Sequence, residues 1–521
     1  MNKGTTKLLA SPILIVSLCA GCSLSGDTAL DSPATVTQAS SPANVVVRNQ
    51  TTDFGDSSGV FGRGERAIMP GDLDGDGYGD MVVLEGMCVH ILYGAGSLPH
   101  VLDTAKTATL VGSSAMNESC LTGYSVEPNG PPVPVQAYQL DLVAAGDVDR
   151  DGFADFLVFF DGRNDWYPDL ATKHVLGTYL VYGGPTRLTG RHLLAESSAA
   201  FFASAYAPTG LGDVNGDGFA DIGALDAGLG LPGPAGTVAV FFGSATRFTG
   251  EIALDRAEAH LSGPAGYLGL GLHPAGDLNG DGYADFVVGE FKNDPPWGCD
   301  QLVTRVWIVL GGTGVVGTFS LDTLPFIEGK IIWNNSGYAV PLGDLDGDGF
   351  DDLAVSTCHN PGQSGDTGSD TNILFGRPDL STLQGPWDVT FPNTSSLVSA
   401  DVDGDGIRDL IVGNPDANDG NGVVYIRRGT GARLSGSIDP TLGSLAIPSS
   451  YRGNGSCLSC GEAVGLWLIA GSDVDNDGVA DILVGADVAT DANSDPINDP
   501  VISAGHAYLL RGAAIKASLP Q

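Results

Sequence analysis

The chain has 521 residues, a formal net charge of −38 and 42% hydrophobic residues, enough to build an extensive core. So acidic a protein is poorly suited to bind nucleic acid or an anionic membrane surface, because both would repel it. Its 24 basic residues are scattered among 62 acidic ones rather than gathered in a basic tract.

The N-terminus reads as a targeting segment. Lys3 and Lys7 form a basic start, Leu8 to Leu18 an apolar stretch, and Cys19-Ala20-Gly21-Cys22 a small-residue end. The stretch is too short to span a bilayer as a stable helix. The Ala-Gly-Cys end resembles the lipobox of bacterial lipoproteins, although Cys19 stands where Leu is usual. That resemblance implies cleavage before Cys22 and lipidation of it, so that residues 1–22 are a lipoprotein-type signal peptide and the protein is exported to the outer membrane or cell surface. Ordinary cleavage would instead give a periplasmic or secreted protein. Residues 23–42, rich in Ser, Thr, Ala and Pro, read as a flexible tether.

Beyond the tether, one acidic loop recurs seven times, about 67 residues apart on average, in the form Asp-x-Asp/Asn-x-Asp-Gly-x-x-Asp. In the first copy Asp72, Asp74, Asp76 and Asp80 occupy positions 1, 3, 5 and 9, and Tyr78 offers its backbone carbonyl at position 7. The later copies, with the position-7 residue named fourth in each, are Asp147, Asp149, Asp151, Phe153 and Asp155; Asp213, Asn215, Asp217, Phe219 and Asp221; and Asp277, Asn279, Asp281, Tyr283 and Asp285. The last three are Asp344, Asp346, Asp348, Phe350 and Asp352; Asp401, Asp403, Asp405, Ile407 and Asp409; and Asp473, Asp475, Asp477, Val479 and Asp481. Hard oxygen ligands in a flexible cage suit Ca²⁺. Up to seven ions are expected, and each adds two positive charges, so full occupancy would bring −38 to −24. Asn215 and Asn279 keep an oxygen ligand and lose a charge, which predicts weaker binding at the third and fourth loops. Arg150 stands at position 4 of the second loop, where strain is expected.

These loops are not EF-hands, which need a bidentate Glu at position 12. Position 12 here is Val83, Val158, Ala224, Val288, Val355, Val412 or Val484. The residues after position 9 (MVVL, FLVF, FVVG, LAVS, LIVG, ILVG) read as buried strands. Each loop therefore joins two strands. A third strand follows, ending in Gly94, Gly183, Gly243, Gly311, Gly376, Gly429 or Gly512, and then a weaker fourth, such as the RHLL at Arg191 or the EIAL at Glu251. Four strands per repeat define the blade of a β-propeller. Only nine residues follow Gly512, so the last unit lacks its fourth strand. Val45, Val46 and Val47 are expected to supply it and close the ring. The predicted fold is all-β, a seven-bladed propeller of four-stranded blades over residues 43–521.

The repeats resemble FG-GAP repeats, as in integrin α-subunit propellers and many bacterial surface proteins. The FG element is seen at Phe61-Gly62 and more loosely at Gly123-Tyr124-Ser125 and Ser336-Gly337-Tyr338. The GAP element is degenerate, at Val412-Gly413-Asn414-Pro415 and Val484-Gly485-Ala486. The resemblance implies a calcium-binding module for adhesion to an extracellular protein or glycan, monomeric and held to a membrane only by its lipid. Integrin propellers carry calcium loops in only some blades, whereas every blade has one here. The resemblance also implies that the face opposite the calcium loops binds partners. Trp166, Tyr167 and Trp297 fall there and suit stacking on a sugar or anchoring a protein. The alternative for these aromatics is capping their blades' cores.

Cys88, Cys120, Cys299, Cys358, Cys457 and Cys460 are candidate disulfide cysteines of an exported protein. Cys88–Cys120 and Cys299–Cys358 would staple the partner face, and Cys457 and Cys460 would form a local bridge. No Walker loop or HExxH spacing is present, no G-x-S-x-G or G-x-G-x-x-G spelling reads as the strand–turn–helix that a nucleophile elbow or dinucleotide fingerprint needs, and no catalytic residue is assigned. A carbohydrate- or lipid-active enzyme of lyase or phospholipase type on this scaffold is the second reading, and a passive structural module the third.

Overall fold

The computed structural model describes residues 44–48, 67–85, 88–98, 101–103, 107–111, 123–126, 132–135, 139–161, 176–226, 237–263, 268–290, 304–329, 339–358, 369–380, 387–448, 465, 467–490 and 502–519. The leader and tether, Phe61-Gly62, Ser336 to Tyr338, Trp166, Tyr167, Trp297, Cys120, Cys299, Cys457 and Cys460 lie outside them.

Seven sheets, each with four antiparallel strands, stand as blades in a ring, a seven-bladed β-propeller. The first blade is built from Ala67–Gly71, Asp80–Glu85, Cys88–Leu92 and Ala108–Val111. The second uses Gln139–Gly146, Asp155–Asp161, Leu176–Val181 and Ala200–Ala203; the third uses Ala205–Gly212, Asp221–Asp226, Thr237–Phe241 and Ala259–Ser262. The fourth uses Leu268–Gly276, Asp285–Glu290, Thr304–Val309 and Phe326–Gly329; the fifth uses Ala339–Gly343, Asp352–Cys358, Ser369–Leu374 and Val389–Phe391. The sixth uses Ser396–Ala400, Asp409–Asn414, Val423–Arg427 and Leu445–Pro448. The seventh uses Leu468–Ala470, Ile482–Thr490 and Ile502–Leu510, and takes its fourth strand from Asn44–Arg48.

The second strands are continuous apolar runs because both of their faces are buried. In Asp80–Glu85, Val82 and Leu84 pack toward the second blade while Met81 and Val83 pack toward the seventh. The period-2 alternation of a strand thus feeds two cores at once. Every hydrophobic cluster of substantial size joins two neighbouring blades, so the core is a ring of seven seams.

The closing strand forms as the sequence predicts: Val45, Val46 and Val47 pair antiparallel with Leu509, Tyr508 and Ala507. The fourth-strand assignment of RHLL and EIAL is corrected. Arg191–Leu193 runs parallel to Ala108–Val111 of the preceding blade, and Gly250–Ala253 runs parallel to Ala200–Ala203. The fourth strands of the second and third blades are the later segments Ala200–Ala203 and Ala259–Ser262. The physical reason is the outer edge of each blade, whose unpaired N–H and C=O groups recruit a short strand from the next repeat. Gly317–Ser320, Gly436–Ser437 and Val101–Asp103 do the same for the third, fifth and seventh blades. The GYS segment lies in a separate hairpin, Gly123–Val126 with Pro132–Val135.

Val46 lies between Tyr508 on one side and Val101 on the other. Val46→Pro removes one ladder N–H at the ring closure and should cost roughly 1–3 kcal/mol, measured by chemical denaturation of the full chain.

Candidate metal centres

Each acidic loop joins the first and second strands of its blade, so all seven lie on one face of the disc. The closing aspartate at position 9 opens the second strand in six blades, immediately precedes it in the seventh, and is fully buried in all: Asp80, Asp155, Asp221, Asp285, Asp352, Asp409 and Asp481. Its two oxygens are used alike in all seven blades. One accepts the backbone N–H of position 2, as from Leu73 at 2.7 Å and Val214 at 2.9 Å. The other accepts the N–H of the glycine that ends the third strand, as from Gly94 at 2.7 Å and Gly243 at 2.9 Å. The same pair of bonds recurs on the remaining five. The third-strand glycine is required by close approach. A Cβ on Gly94 would lie 2.3 Å from the Gly79 carbonyl and 2.7 Å from that of Val474.

The position-1 aspartate folds the loop. Asp72 accepts from the N–H groups of Gly75 and Gly77 at 2.6 and 2.8 Å, and its counterparts make the same contact with the position-6 glycine. That glycine sits at positive φ, 88° for Gly77 and 84° for Gly406, a conformation glycine adopts without penalty. At position 4, Arg150 and Asn476 adopt φ of 55° and 53°, the left-handed region that side chains disfavour, so the expected strain at Arg150 is present.

Carboxylate oxygens of Asp72, Asp74 and Asp80 converge within 4.8 Å of one another. So do those of Asp147, Asp149 and Asp151, of Asp344, Asp346 and Asp348, of Asp401, Asp403 and Asp409, and of Asp473, Asp475 and Asp481. In the third and fourth loops Asn215 and Asn279 fill position 3. Asp149 Oδ1 and Asp475 Oδ1 are buried without a hydrogen-bond partner. A buried anionic oxygen so placed is costly unless a cation meets it. The donor set, all oxygen and mostly anionic, fits a hard divalent cation.

Burial pushes the closing carboxyls up from 3.8 to about 7 at Asp80, Asp155, Asp221, Asp285, Asp352 and Asp481, and to about 6 at Asp409. The neighbouring loop carboxylates push the same way, and the backbone N–H groups only partly offset them. Asp346 and Asp475 are also raised, first by burial and then by Asp348 and Asp477.

Arginines complete the loops and were not foreseen from the sequence. Arg187 contacts Asp74 and Asp76, and Arg247 contacts Asp149 and Asp151. Arg433 reaches Asp346 and Asp348 at 3.3 and 3.2 Å, Arg428 reaches Asp403 at 2.5 Å, and Arg511 reaches Asp475 at 3.4 Å. Arg187 and Asp74 are 113 positions apart, so no local motif links them.

Of the partner-face residues, Cys88 opens the third strand of the first blade and Cys358 ends the second strand of the fifth. Among the described residues no helix is long and apolar enough to cross a membrane.

Fold and loops together define a radial repeat protein with an acidic cation-type loop in each blade. Comparison with known proteins narrows this class. The FG-GAP repeat family matches residues 336–369 and 393–426. Integrin alpha-PS2 of Drosophila melanogaster is 28% identical over 239 residues, which is 42% of this chain and 15% of the relative. Integrin alpha-V of Gallus gallus is 26% identical over 253 residues, 46% of this chain and 22% of the relative. Phosphatidylinositol-glycan-specific phospholipase D of Bos taurus is 30% identical over 191 residues, 35% and 22% respectively. The chain carries FG-GAP repeats, and its seven-bladed propeller is similar to the N-terminal part of integrin α chains. The matched stretch spans between about a seventh and a quarter of these relatives' own lengths.

In chelator, a carboxyl whose folded pKa is raised favours the fold when protonated. Its contribution is full below about pH 4 and is lost as pH rises through about 7. The metal-free protein should therefore melt at a lower temperature at pH 8 than at pH 5.5, measured by scanning calorimetry in EDTA, and saturating divalent cation should flatten that slope.

Proposed function

We propose that the protein is a calcium-stabilised, lipid-anchored surface propeller that binds an extracellular protein or glycan. The observation that carries the metal reading is the buried, partnerless oxygen of Asp149 and of Asp475 inside an all-oxygen donor set. Positions 1, 3, 5 and 9 of each loop supply the side-chain ligands, from Asp72, Asp74, Asp76 and Asp80 to Asp473, Asp475, Asp477 and Asp481. Position 7 supplies a carbonyl, from Tyr78 in the first loop to Val479 in the last. The ions act structurally: they join strands that the closing aspartate already holds together.

The binding reading draws on the integrin α relatives, which match 42% and 46% of this chain. The partner side is the face opposite the loops, reached by the connections between second and third strands, where Trp166, Tyr167 and Trp297 occur in the sequence. Cys88 is disulfide-bonded, which supports an exported location. In this reading residues 1–22 are the signal peptide, Cys22 bears the lipid and residues 23–42 form the tether. The phospholipase D relative favours a second reading, a lipid-active enzyme or a part of one.

With a dissociation constant near ~0.1 mM and ~1 mM free Ca²⁺, each site contributes about 1.4 kcal/mol, or roughly 10 kcal/mol for seven independent sites. Chelation should lower the melting temperature by about ten degrees for a domain of this size. Titration calorimetry should give a stoichiometry near seven, and an unchanged melt in EDTA would refute the metal reading. For the partner, the tether-deleted protein is passed over a glycan array and a panel of extracellular matrix proteins, and is assayed on phosphatidylinositol-glycan substrate. Saturable binding weakened by Trp297→Ala supports the binding module. Turnover without such binding supports the enzyme.

A further inference from the structure

Whether position 3 of a loop is Asp or Asn tracks the presence of a cationic side chain above it in all seven blades. The five position-3 aspartates are almost wholly buried, with side chains 1–9% exposed, and each has an arginine on its carboxylate. The arginines come from two places. One is the fourth residue after the third-strand glycine of the next blade, which is Arg187, Arg247 and Arg433. The other is the residue just before the third-strand glycine of the loop's own blade, which is Arg428 and Arg511. In the third blade these two positions are Val315 and Phe242, and in the fourth they are Leu380 and Leu310. Those are the blades that carry Asn215 and Asn279. Arg150 lies against Gly218 of the third loop but, among the described residues, forms no ion pair with its carboxylates.

The asparagine also replaces the arginine's hydrogen bond. Asn215 Nδ2 donates to Asp217 Oδ2 and Asn279 Nδ2 to Asp281 Oδ2, each at 2.9 Å. In the first, second and fifth loops the guanidinium donates to the same position-5 oxygen, on Asp76, Asp151 and Asp348. Counting only the side-chain ligand positions and the paired arginine, four carboxylates with one guanidinium, or three carboxylates with an amide, leave the same formal charge. The three arginines from the next blade are held against an aromatic of the loop's own blade. Arg187 lies 4.8 Å from the centre of Tyr93, Arg247 4.6 Å from Tyr182 and Arg433 4.4 Å from Phe375.

We propose that these five arginines are resident counter-cations that hold the position-3 carboxylates in the metal-free loop, and that Asn with an apolar neighbour is the interchangeable alternative. In the second loop Arg247 takes the outer oxygen of Asp149, Oδ2, and leaves Oδ1 partnerless. Arginine and divalent cation thus neutralise one carboxylate from two sides. Loss of the arginine is felt most when the ion is absent. On that count of ligands and paired arginine the two asparagine loops match the other five, which removes the ligand-charge reason for weaker metal binding there.

The test is a double-mutant cycle on the full chain. The triple variant Arg187→Met, Arg247→Met and Arg433→Met keeps the apolar stems over the aromatics. Its melting temperature in EDTA should fall by about 5 °C, and by less than half as much in saturating Ca²⁺. Adding Asp74→Asn, Asp149→Asn and Asp346→Asn should recover at least half of the loss in EDTA. A converse pair guards against a variant that does not fold: Asn215→Asp alone should destabilise the metal-free protein, and Val315→Arg added to it should restore the melt. Failure of both recoveries, or an equal loss with and without Ca²⁺ in a protein whose wild type responds to Ca²⁺, would overturn the proposal. The inference leans on the calcium reading only for the comparison with and without metal. A wild type that ignores Ca²⁺ would refute that reading alone, and the recoveries in EDTA would still decide the arginine inference.

Discussion

The structure depends on a carboxylate buried where carboxylates are expensive. The position-9 aspartate of each blade is removed from water and accepts one backbone N–H from the loop before it and one from the end of the third strand. That pair of bonds ties the first, second and third strands together at one end of the blade. It satisfies two backbone donors that would otherwise be buried unpaired. The cost is electrostatic. Burial and the neighbouring loop carboxylates raise the group to about 7 in six of the seven blades. A fold built on such a group calls for positive charge close by, and the loop is a device for holding it.

The same loops link the blades into a ring. The N–H at position 8 of one loop donates to the position-1 carbonyl of the preceding loop, as from Ala154 to Asp72 at 2.8 Å and Asp351 to Asp277 at 2.9 Å. Gly79 to Asp473, at 2.7 Å, carries the chain of bonds across the closure between the first and last blades. The arginines from the next blade cross the same seams. Loop, seam and charge balance are therefore one arrangement, and the hydrophobic seams fill in behind it.

Much of this was legible in the sequence because it is local. Asp72 to Asp80 fall within nine residues, and the apolar run that follows position 9 is a strand by pattern alone. The repeat then counts the blades. The closing role of Val45 to Val47 was legible too, since the last repeat falls short of a strand. RHLL and EIAL misled because a short apolar run shows that a strand forms but not which edge it joins. Arg191–Leu193 prefers the open edge of the preceding blade to a place in its own. The arginines were illegible for a related reason: Arg187 and Arg433 meet their aspartates only after the blades close side by side.

By itself the sequence determined the seven acidic loops, the strands that flank them and the all-β ring, because each rests on spacing within a few residues or on simple repetition. Only the tertiary structure decided how the blades' outer edges are covered, and which cation stands over which carboxylate. Both depend on contacts between neighbouring repeats. Asp74 and Asn215 look like minor variants of one motif in the chain. In the fold they mark two ways of balancing the same charge, because one has Arg187 above it and the other has Val315 in that place.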